Sequence, residues 1–570
     1  MEQIDGPDGL RTGGELLADG LIRQGADTVF GVPGESFLPL LDAIYARCDR
    51  LRFVTCRQEG GAAYMADAFG KLTGRPGICL VTRGPGACNA SIGVHTAWQD
   101  STPMIVLIGQ VPRFNRHRDA FQEIEFRDMF APMAKWICEV DSSRRIPEHL
   151  SHAFHVALSG RPGPVVLVLP EDVLAERAVA IDLPPAQISR AVAEPGVQQR
   201  LHTRLTAARR PLIILGGPGW GSEAAAALAR VAARQHIPVV TALRCQDYFD
   251  NQHPCYGGDL GISAHPEVLR SVRAADLLLV IGARLDEMTT QGYSVPPAPR
   301  SKQCLAHVYP DGRELGRVYY PDVPVLCDPS LFAAALESLD AEVPAGRAAW
   351  CAAVHQDYKK LLTPASQPGA LDMGHVIAAL RQRLPENTIV TNGAGNYTAW
   401  VHKFWQFRTY RSQLAPISGV MGYGVPASVA AKLIYPDRQV VVFAGDGCFL
   451  MNAQELATIR HYELDPLIIV VNNGIYGTIR MHQERKYPGR VYGTDLTNPD
   501  FAALAASFGL HSQVLERTED VSATIDRALA AGGPALIECR VDPEGITPRT
   551  TLSDLAAAAQ KPGDARRATL

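Results

Sequence analysis

Two apolar runs near the C-terminal end of the chain constrain the fold most. Residues 439–444 (QVVVFA) stop at Gly445-Asp446-Gly447, and after an intervening stretch expected to be helical from about Asn452, residues 466–471 (PLIIVV) stop at Asn472-Asn473. Runs this continuously apolar are strands buried on both faces, which requires a parallel sheet with crossover helices on each side. Such sheets bind ligands outside the carboxyl ends of their strands, where Asp446 and Asn473 stand. Two hard oxygen donors there suit magnesium, and the N–H groups after Gly445 suit a diphosphate. Taken singly, each motif reads more readily as a tight turn; together, each at a strand end, they favour a metal-bridged diphosphate site.

The rest of the chain repeats the pattern. Short strands are expected at Thr28 to Val32, Arg52 to Thr55, Ile78 to Thr82, Met104 to Ile108 and Val165 to Leu169, and again at Pro211 to Leu215, Pro238 to Thr241, Leu277 to Ile281, Cys304 to Val308 and Val323 to Leu326. With Thr388 to Thr391 and Ala535 to Glu538 beside the two runs above, the reading is α/β, with three doubly wound parallel-sheet domains in series at 10–183, 195–340 and 370–545. Pro184 to Gln199, and then Ala341 to Arg347 with Thr363 to Gly369, read as connections, and the last residues as a tail or docking helix. With 55 basic and 59 acidic residues in 570, no footprint for nucleic acid or anionic membrane is expected. Twelve cysteines without a C-x-x-C pair argue against zinc or a disulfide framework. No leader pattern occupies Met1 to Gly14 and no apolar run reaches a membrane-spanning length, so a cytoplasmic enzyme with a small-molecule partner is expected.

Residues 30–36 (FGVPGES), 57–89 (RQEGGAAYMADAFGKLTGRPGICLVTRGPGACN), 100–113 (DSTPMIVLIGQVPR) and 120–123 (AFQE), with the G-D-G to N-N segment, resemble the thiamine diphosphate-dependent enzymes, acetolactate synthases above all. The resemblance extends from about Gly14 to Val541. It implies a pyrimidine-binding first domain, a central domain and a diphosphate-binding third domain. It also implies that Glu59 hydrogen-bonds the pyrimidine ring and promotes proton transfer from the thiazolium carbon, that Met421 wedges the cofactor into a bent shape, and that the Gly419 carbonyl accepts from its amine. Gly393, Asn396, Tyr397, Gly445, Gly447, Cys448, Tyr476 and Gly477 fall at cofactor-binding positions. Magnesium falls to Asp446, Asn473 and the main-chain oxygen of Ile475. Gly34, Phe121 and Gln122 match positions that approach the reacting carbon. The resemblance further implies a homodimer or homotetramer in which different subunits serve one cofactor.

Departures from the acetolactate synthase pattern concern the substrate. Gln58 stands where those enzymes usually have His, Gly34-Glu35-Ser36 replaces G-G-A, and Asn396-Tyr397 replaces a Gln-His pair. His482 aligns with a Trp of the acceptor pocket, so His482 and Arg480 are read either as binding a substrate carboxylate or hydroxyl, or as a solvated helix face. Residues 280–293 (VIGARLDEMTTQGY) resemble the flavin-contacting segment, Arg284 included, and the central domain of this family carries FAD, ADP or nothing; Gly216 to Gly221 is glycine-rich without being G-x-G-x-x-G. The activity implied is decarboxylation of a 2-oxo acid and transfer of the acyl carbanion equivalent to an acceptor. The alternatives are a non-carboligating decarboxylase or 2-hydroxyacyl lyase and, from another class, a non-catalytic binding or regulatory protein on the same fold. Glu59 speaks against the last, because a pure binder has no need of an activating acid.

Overall fold

The computed structural model of the chain describes residues 9–262, 264–338 and 342–560. The far ends of the expected leaderless N-terminus and C-terminal tail, 1–8 and 561–570, lie outside the described residues; the tail's described part holds a helix, Leu552–Ala559. The chain divides into two compact units. One runs up to Ser189 and takes in Val425–Tyr435 and Asn452–Tyr462; the other holds Arg190–Gly424, Pro436–Met451 and the chain from Glu463 onward.

The first unit is built on six parallel strands: β1 Thr28–Gly31, β2 Arg52–Thr55, β3 Gly77–Val81, β4 Met104–Gln110, β5 Trp136–Glu139 and β6 Pro164–Pro170, in the order β2-β1-β3-β4-β6-β5. Every residue of β3, β4 and β6 is buried, as continuous apolar runs require when helices cover both faces. Two of those helices carry the site: α1, Glu59–Thr73, and α2, Gly84–Asp100.

The second unit contains two sheets. The central one has β7 Pro211–Leu215, β8 Val239–Thr241, β9 Tyr256–Asp259, β10 Leu277–Ile281, β11 Cys304–Tyr309 and β12 Val323–Leu326, ordered β9-β8-β7-β10-β11-β12. The last has β13 Ile389–Asn392, β14 Gln413–Leu414, β15 Val440–Gly445, β16 Leu467–Asn472, β17 His511–Leu515 and β18 Ala535–Arg540, ordered β14-β13-β15-β16-β18-β17. All their ladders are parallel, so the α/β expectation of three doubly wound sheets holds. The first and third sheets share one strand order, whose reversal falls between β1 and β3 and between β13 and β15. Helices of this unit include α3 Pro266–Ala274, α4 Thr398–Phe404, α5 Asp446–Leu450 and α6 Gly477–Lys486.

Three local differences from the sequence reading have physical causes. A helix, Pro195–Ala207, begins inside the stretch read as a connection, with Pro at its first turn, where its fixed φ and missing N–H are harmless. The helix expected from Asn452 instead starts directly at Asp446, and a short 3-10 turn at Ala453–Glu455 leads to a second piece, Leu456–His461. The Gly216 to Gly221 stretch serves close packing: Gly217 has φ +71, and a Cβ there would lie 1.7 Å from the Gly282 carbonyl oxygen. All twelve cysteines are free thiols, and no helix of the described residues is long and apolar enough to cross a membrane.

Gly217→Ala combines a left-handed backbone with a main-chain collision, and is expected to cost roughly 3 kcal/mol. A lower midpoint in thermal unfolding checks this; an unchanged midpoint contradicts the packing argument.

Candidate active site

In the first unit the site residues stand at the carboxyl ends of β1, β2 and β3. Beyond β2, Gln58 caps α1, its side chain accepting from Gly61 N–H at 3.0 Å, and Glu59 opens the helix. The Glu59 carboxylate accepts from Asn89 Nδ2 at 2.9 Å, and a Cβ on Gly86 would lie 3.4 Å from its Oε1. Two residues before Gly86 on the same helix α2, Gly84 donates its N–H to the Gln122 carbonyl at 3.0 Å. Gly34 presses against Thr82, where a Cβ would sit 2.6 Å from the Thr82 Cβ. The N-terminal end of α2 and Thr82, two residues before it, therefore gather Gly34, Glu59 and Gln122. Phe121 is 73% exposed beside Gln122, and Gln122 itself has φ +64, an uncommon backbone for a residue with a side chain.

Sequence reasoning missed the residue that fixes this turn. Glu455 is fully buried; its Oε1 accepts from the Arg57 and Gln58 N–H groups at 3.1 Å each and its Oε2 from Thr458 Oγ1 at 2.6 Å. Burial raises its pKa, and those hydrogen bonds oppose the rise. The same carboxylate explains Gly61, whose Cβ would stand 2.8 Å from Glu455 Oε1. The only sequence signal for it is an acid at the head of the apolar stretch 456–459 (LATI).

In the second unit β15 delivers Gly445 in extended conformation and Asp446 at the first position of α5. The Asp446 side chain is almost wholly buried, and its carboxylate accepts from Gly447 N, Gly474 N and Asn498 Nδ2, each at 2.8 Å. Burial raises its pKa, against the hydrogen bonds from Gly447, Asn498 and Gly474. Asn498 also reaches Asn472 Oδ1 at 3.0 Å, and so ties the ends of β15 and β16 together. Asn473 Oδ1 accepts from Ile475 N at 3.2 Å, and the Ile475 carbonyl from Gly477 N at 2.9 Å. Asp446, Asn473 and Ile475 line one cavity and offer it oxygen donors, the chemistry magnesium prefers. Among the described residues no three His, Cys, Asp or Glu form a self-sufficient metal site. A cation here would draw its remaining ligands from phosphate oxygens and water.

The glycines mark how closely the backbone must be approached. A Cβ at Gly447 would meet the Tyr476 ring at 2.6 Å, one at Gly445 the Tyr397 ring at 3.0 Å, and one at Gly393 the Cys448 sulfur at 2.6 Å. Tyr397 OH accepts from Gly393 N at 3.1 Å, and Cys448 Sγ from Gly422 N at 3.2 Å. The Asn396 amide is engaged by the chain itself, donating to the Ile546 carbonyl at 3.0 Å and accepting from Thr478 Oγ1 at 2.8 Å. Arg244, buried in the central part of this unit, donates to the carbonyls of Gly393, at 3.0 Å, and of Pro416. It thereby joins the loops that present Gly393 and Gly419. Neither Arg244 nor Asn498 lies in a periodic or motif-like stretch, so the sequence offered no signal for them.

These groups open on a cavity of about 710 Å³, whose lining includes Asp446, Asn473, Gly419, Met421 and His482. Residues two apart on a helix point to nearly opposite sides. Arg480 accordingly pairs with Glu484 at 3.1 Å, its neighbour one turn on, whereas His482 faces the cavity together with Arg485. Arg480 and His482 do not share a face, and Arg485, passed over in the sequence, lines the cavity beside His482. Burial lowers the His482 pKa, and Arg485 and Lys486 lower it further.

Comparison with known proteins decides the family. Residues 11–129, 198–336 and 393–539 match, in turn, the N-terminal TPP binding domain, the central domain and the C-terminal TPP binding domain of thiamine pyrophosphate enzymes. The chain belongs to the thiamine pyrophosphate enzyme family. It is similar to the acetolactate synthase large subunit of Parasynechococcus marenigrum, at 34% identity over 93% of this chain and 87% of that protein. It is likewise similar to the isozyme 1 large subunit of Escherichia coli, at 33% over 94% of each chain, and to a probable acetolactate synthase large subunit of Methanocaldococcus jannaschii, at 33% over 94% of this chain and 93% of that one. This thiamine pyrophosphate enzyme is therefore acetolactate synthase-like.

Asp446→Asn removes the charge and turns an N–H2 toward donors that need an acceptor. At least a ten-fold loss of magnesium-dependent thiamine diphosphate affinity is expected by calorimetry. An unchanged affinity would remove Asp446 from the site.

Proposed function

We propose that this enzyme decarboxylates a 2-oxo acid and transfers the acyl carbanion equivalent to an acceptor, as an acetolactate synthase-like carboligase using thiamine diphosphate and magnesium. One observation carries the reading: an acid, Glu59, at the head of α1 against the N-terminal end of α2 in one unit, and an oxygen-only cradle around Asp446 at the strand-order reversal of the last sheet in the other. A protein that merely bound the cofactor would need the cradle alone. When bound, thiamine diphosphate supplies the electron sink for decarboxylation.

The residues have distinct tasks. Glu59 holds a proton at the pyrimidine ring, and Glu455 positions the turn from which it acts. Asp446, Asn473 and the Ile475 carbonyl would hold magnesium, and the N–H groups after Gly445 would donate to diphosphate oxygens. Met421, unbranched and adaptable, lines the cavity and would pack against the cofactor. Gly34, Phe121 and Gln122 are assigned to the approach of the reacting carbon, His482 to the substrate pocket. Part of this reading is a homodimer or homotetramer, in which the Glu59 and the Asp446 that serve one cofactor come from different copies, working in the cytoplasm.

Flavin is left out of the reading. The reversal of the central sheet falls between β7 and β10, where a dinucleotide would lie. There Trp220, 5% exposed, donates from Nε1 to the Gly216 carbonyl at 3.0 Å, and a Cβ on Gly282 would lie 3.0 Å from the same nitrogen. The indole thus fills the crevice, and Arg284 faces Glu314 at 3.7 Å. These residues do not fit FAD.

Removing a general acid–base group typically costs a hundred-fold or more. Glu59→Gln is therefore expected to lower the rate of CO2 release from 2-oxo acids at least about 100-fold, and to slow proton exchange at the thiazolium carbon in proportion, while calorimetry still records saturable uptake of the cofactor. Equal exchange in the variant and the parent enzyme would remove Glu59 from the chemistry.

A further inference from the structure

Strand β18 carries an acid in an otherwise apolar run. Residues 535–539 (ALIEC) are all buried, and Glu538 is 1% exposed. Its Oε1 accepts from Asn472 Nδ2 at 2.8 Å and from Arg540 Nε at 3.0 Å, while its Oε2 is buried with no hydrogen-bond partner among the described residues. Arg540, exposed at the strand end, also donates to Glu516 at 2.9 Å. A carboxylate taken out of water with one oxygen unmet costs stability, and an apolar side chain of similar volume often serves a sheet interior as well or better. Glu538 is better accounted for by what it holds.

What it holds is the orientation of an amide. Asn472 ends β16, the strand next to β18, and directly precedes Asn473 of the cradle. Paired with Arg540, the Glu538 carboxylate only accepts, so Asn472 must turn its donor end, Nδ2, toward it. Asn472 Oδ1 then faces the other way, where it accepts from Asn498 Nδ2 at 3.0 Å and from Gly474 N at 3.3 Å. These are the same two donors that meet Asp446 Oδ2, each at 2.8 Å. Two acceptors thus share two donors in a closed ring where the ends of β15 and β16 meet. A flipped Asn472 amide would set Nδ2 against Asn498 Nδ2 and Gly474 N, donor against donor. The turn that presents Asn473 and the Ile475 carbonyl would then lose one of its two ties to the strand ends.

We propose that Glu538 is a positioning residue for the divalent cation, acting on Asp446 through Asn472 and Asn498 by keeping the Asn472 oxygen turned toward the cradle. The inference rests on the magnesium part of the carboligase reading and deepens it. It assigns the effect to the accepting oxygen of Glu538 rather than to its charge, because Arg540 and Asn472 share that one oxygen. Outer partners of metal ligands typically change metal affinity by about 10- to 100-fold.

Manganese(II) is the probe, since it takes the same kinds of oxygen ligand as magnesium and its free form is counted by electron paramagnetic resonance. Titrated into the full chain with saturating thiamine diphosphate, it is expected to bind Glu538→Met about ten-fold more weakly than the parent. Glu538→Gln, whose carbonyl Arg540 keeps directed at Asn472, should bind nearly as well as the parent. In an Asn472→Leu background, where the amide is gone, Glu538→Met should cause no further loss. Asn472→Asp supplies an arm that does not depend on the Met variant folding. It sets acceptor against acceptor at Glu538, so weaker binding is expected although the added charge alone would attract the cation. Unchanged affinity in Glu538→Met, a Gln variant as weak as the Met variant, a full additional loss in the Asn472→Leu background, or equal or tighter binding in Asn472→Asp would each overturn the positioning role and leave the magnesium reading standing. If the parent takes up thiamine diphosphate with no dependence on a divalent cation, the magnesium reading itself fails and the positioning role falls with it.

Discussion

A carboxylate taken almost wholly out of water at the end of a parallel strand must be met by donors or by a cation, and Asp446 is arranged for both. Three N–H groups converge on its two oxygens at 2.8 Å, enough to keep the buried acid tolerable. Those donors come from the turn after β15, the turn after β16 and the distant Asn498. The carboxylate therefore fixes the relative position of the two strand ends to which the diphosphate is assigned. Asn473 and the Ile475 carbonyl come into place because the chain after β16 turns around Gly474, φ +70, whose N–H is one of the three donors.

Glu455 does for the first unit what Asp446 does for the second. It is a buried acid whose Oε1 accepts from backbone N–H groups, here those immediately before Glu59, so Glu59 stands on a braced turn. In each unit a catalytic-site strand end is braced by a polar side chain distant in sequence, Asn498 for one and Glu455 for the other. Function depends on these residues through the groups they position, and removing either leaves buried donors or acceptors unmet, typically about 1–3 kcal/mol for each such group.

The interior of the fold was readable in the sequence and its margins only in part, through the edge strands Arg52–Thr55 and Val323–Leu326. The strands expected from apolar runs are all present, since burial on both faces leaves an uninterrupted β-branched signature. Within the three six-stranded sheets, the four that escaped, Trp136–Glu139, Tyr256–Asp259, Gln413–Leu414 and His511–Leu515, are all edge strands. An edge strand need not be apolar throughout, and His511–Leu515 has only Leu515 buried. The same contrast holds in the site. Asp446, Asn473 and Glu59 sit in contiguous motifs whose spacing is itself the signal, whereas Arg244, Asn498 and Glu455 act across the fold and announce nothing locally. Arg480 and His482 show the limit of reading a helix as a string: two residues apart, they face different sides, and Arg485, one turn beyond His482, is the residue that shares its cavity.

The central claim is that Asp446, Asn473 and the Ile475 carbonyl hold a cation against the diphosphate of thiamine diphosphate. A crystal structure of the complex with thiamine diphosphate and magnesium tests it most directly. The account predicts the diphosphate over Gly445–Gly447 and the metal about 2.1 Å from an oxygen of each of the three residues, in octahedral geometry. A diphosphate bound elsewhere, or a metal whose ligands exclude Asp446, would contradict it.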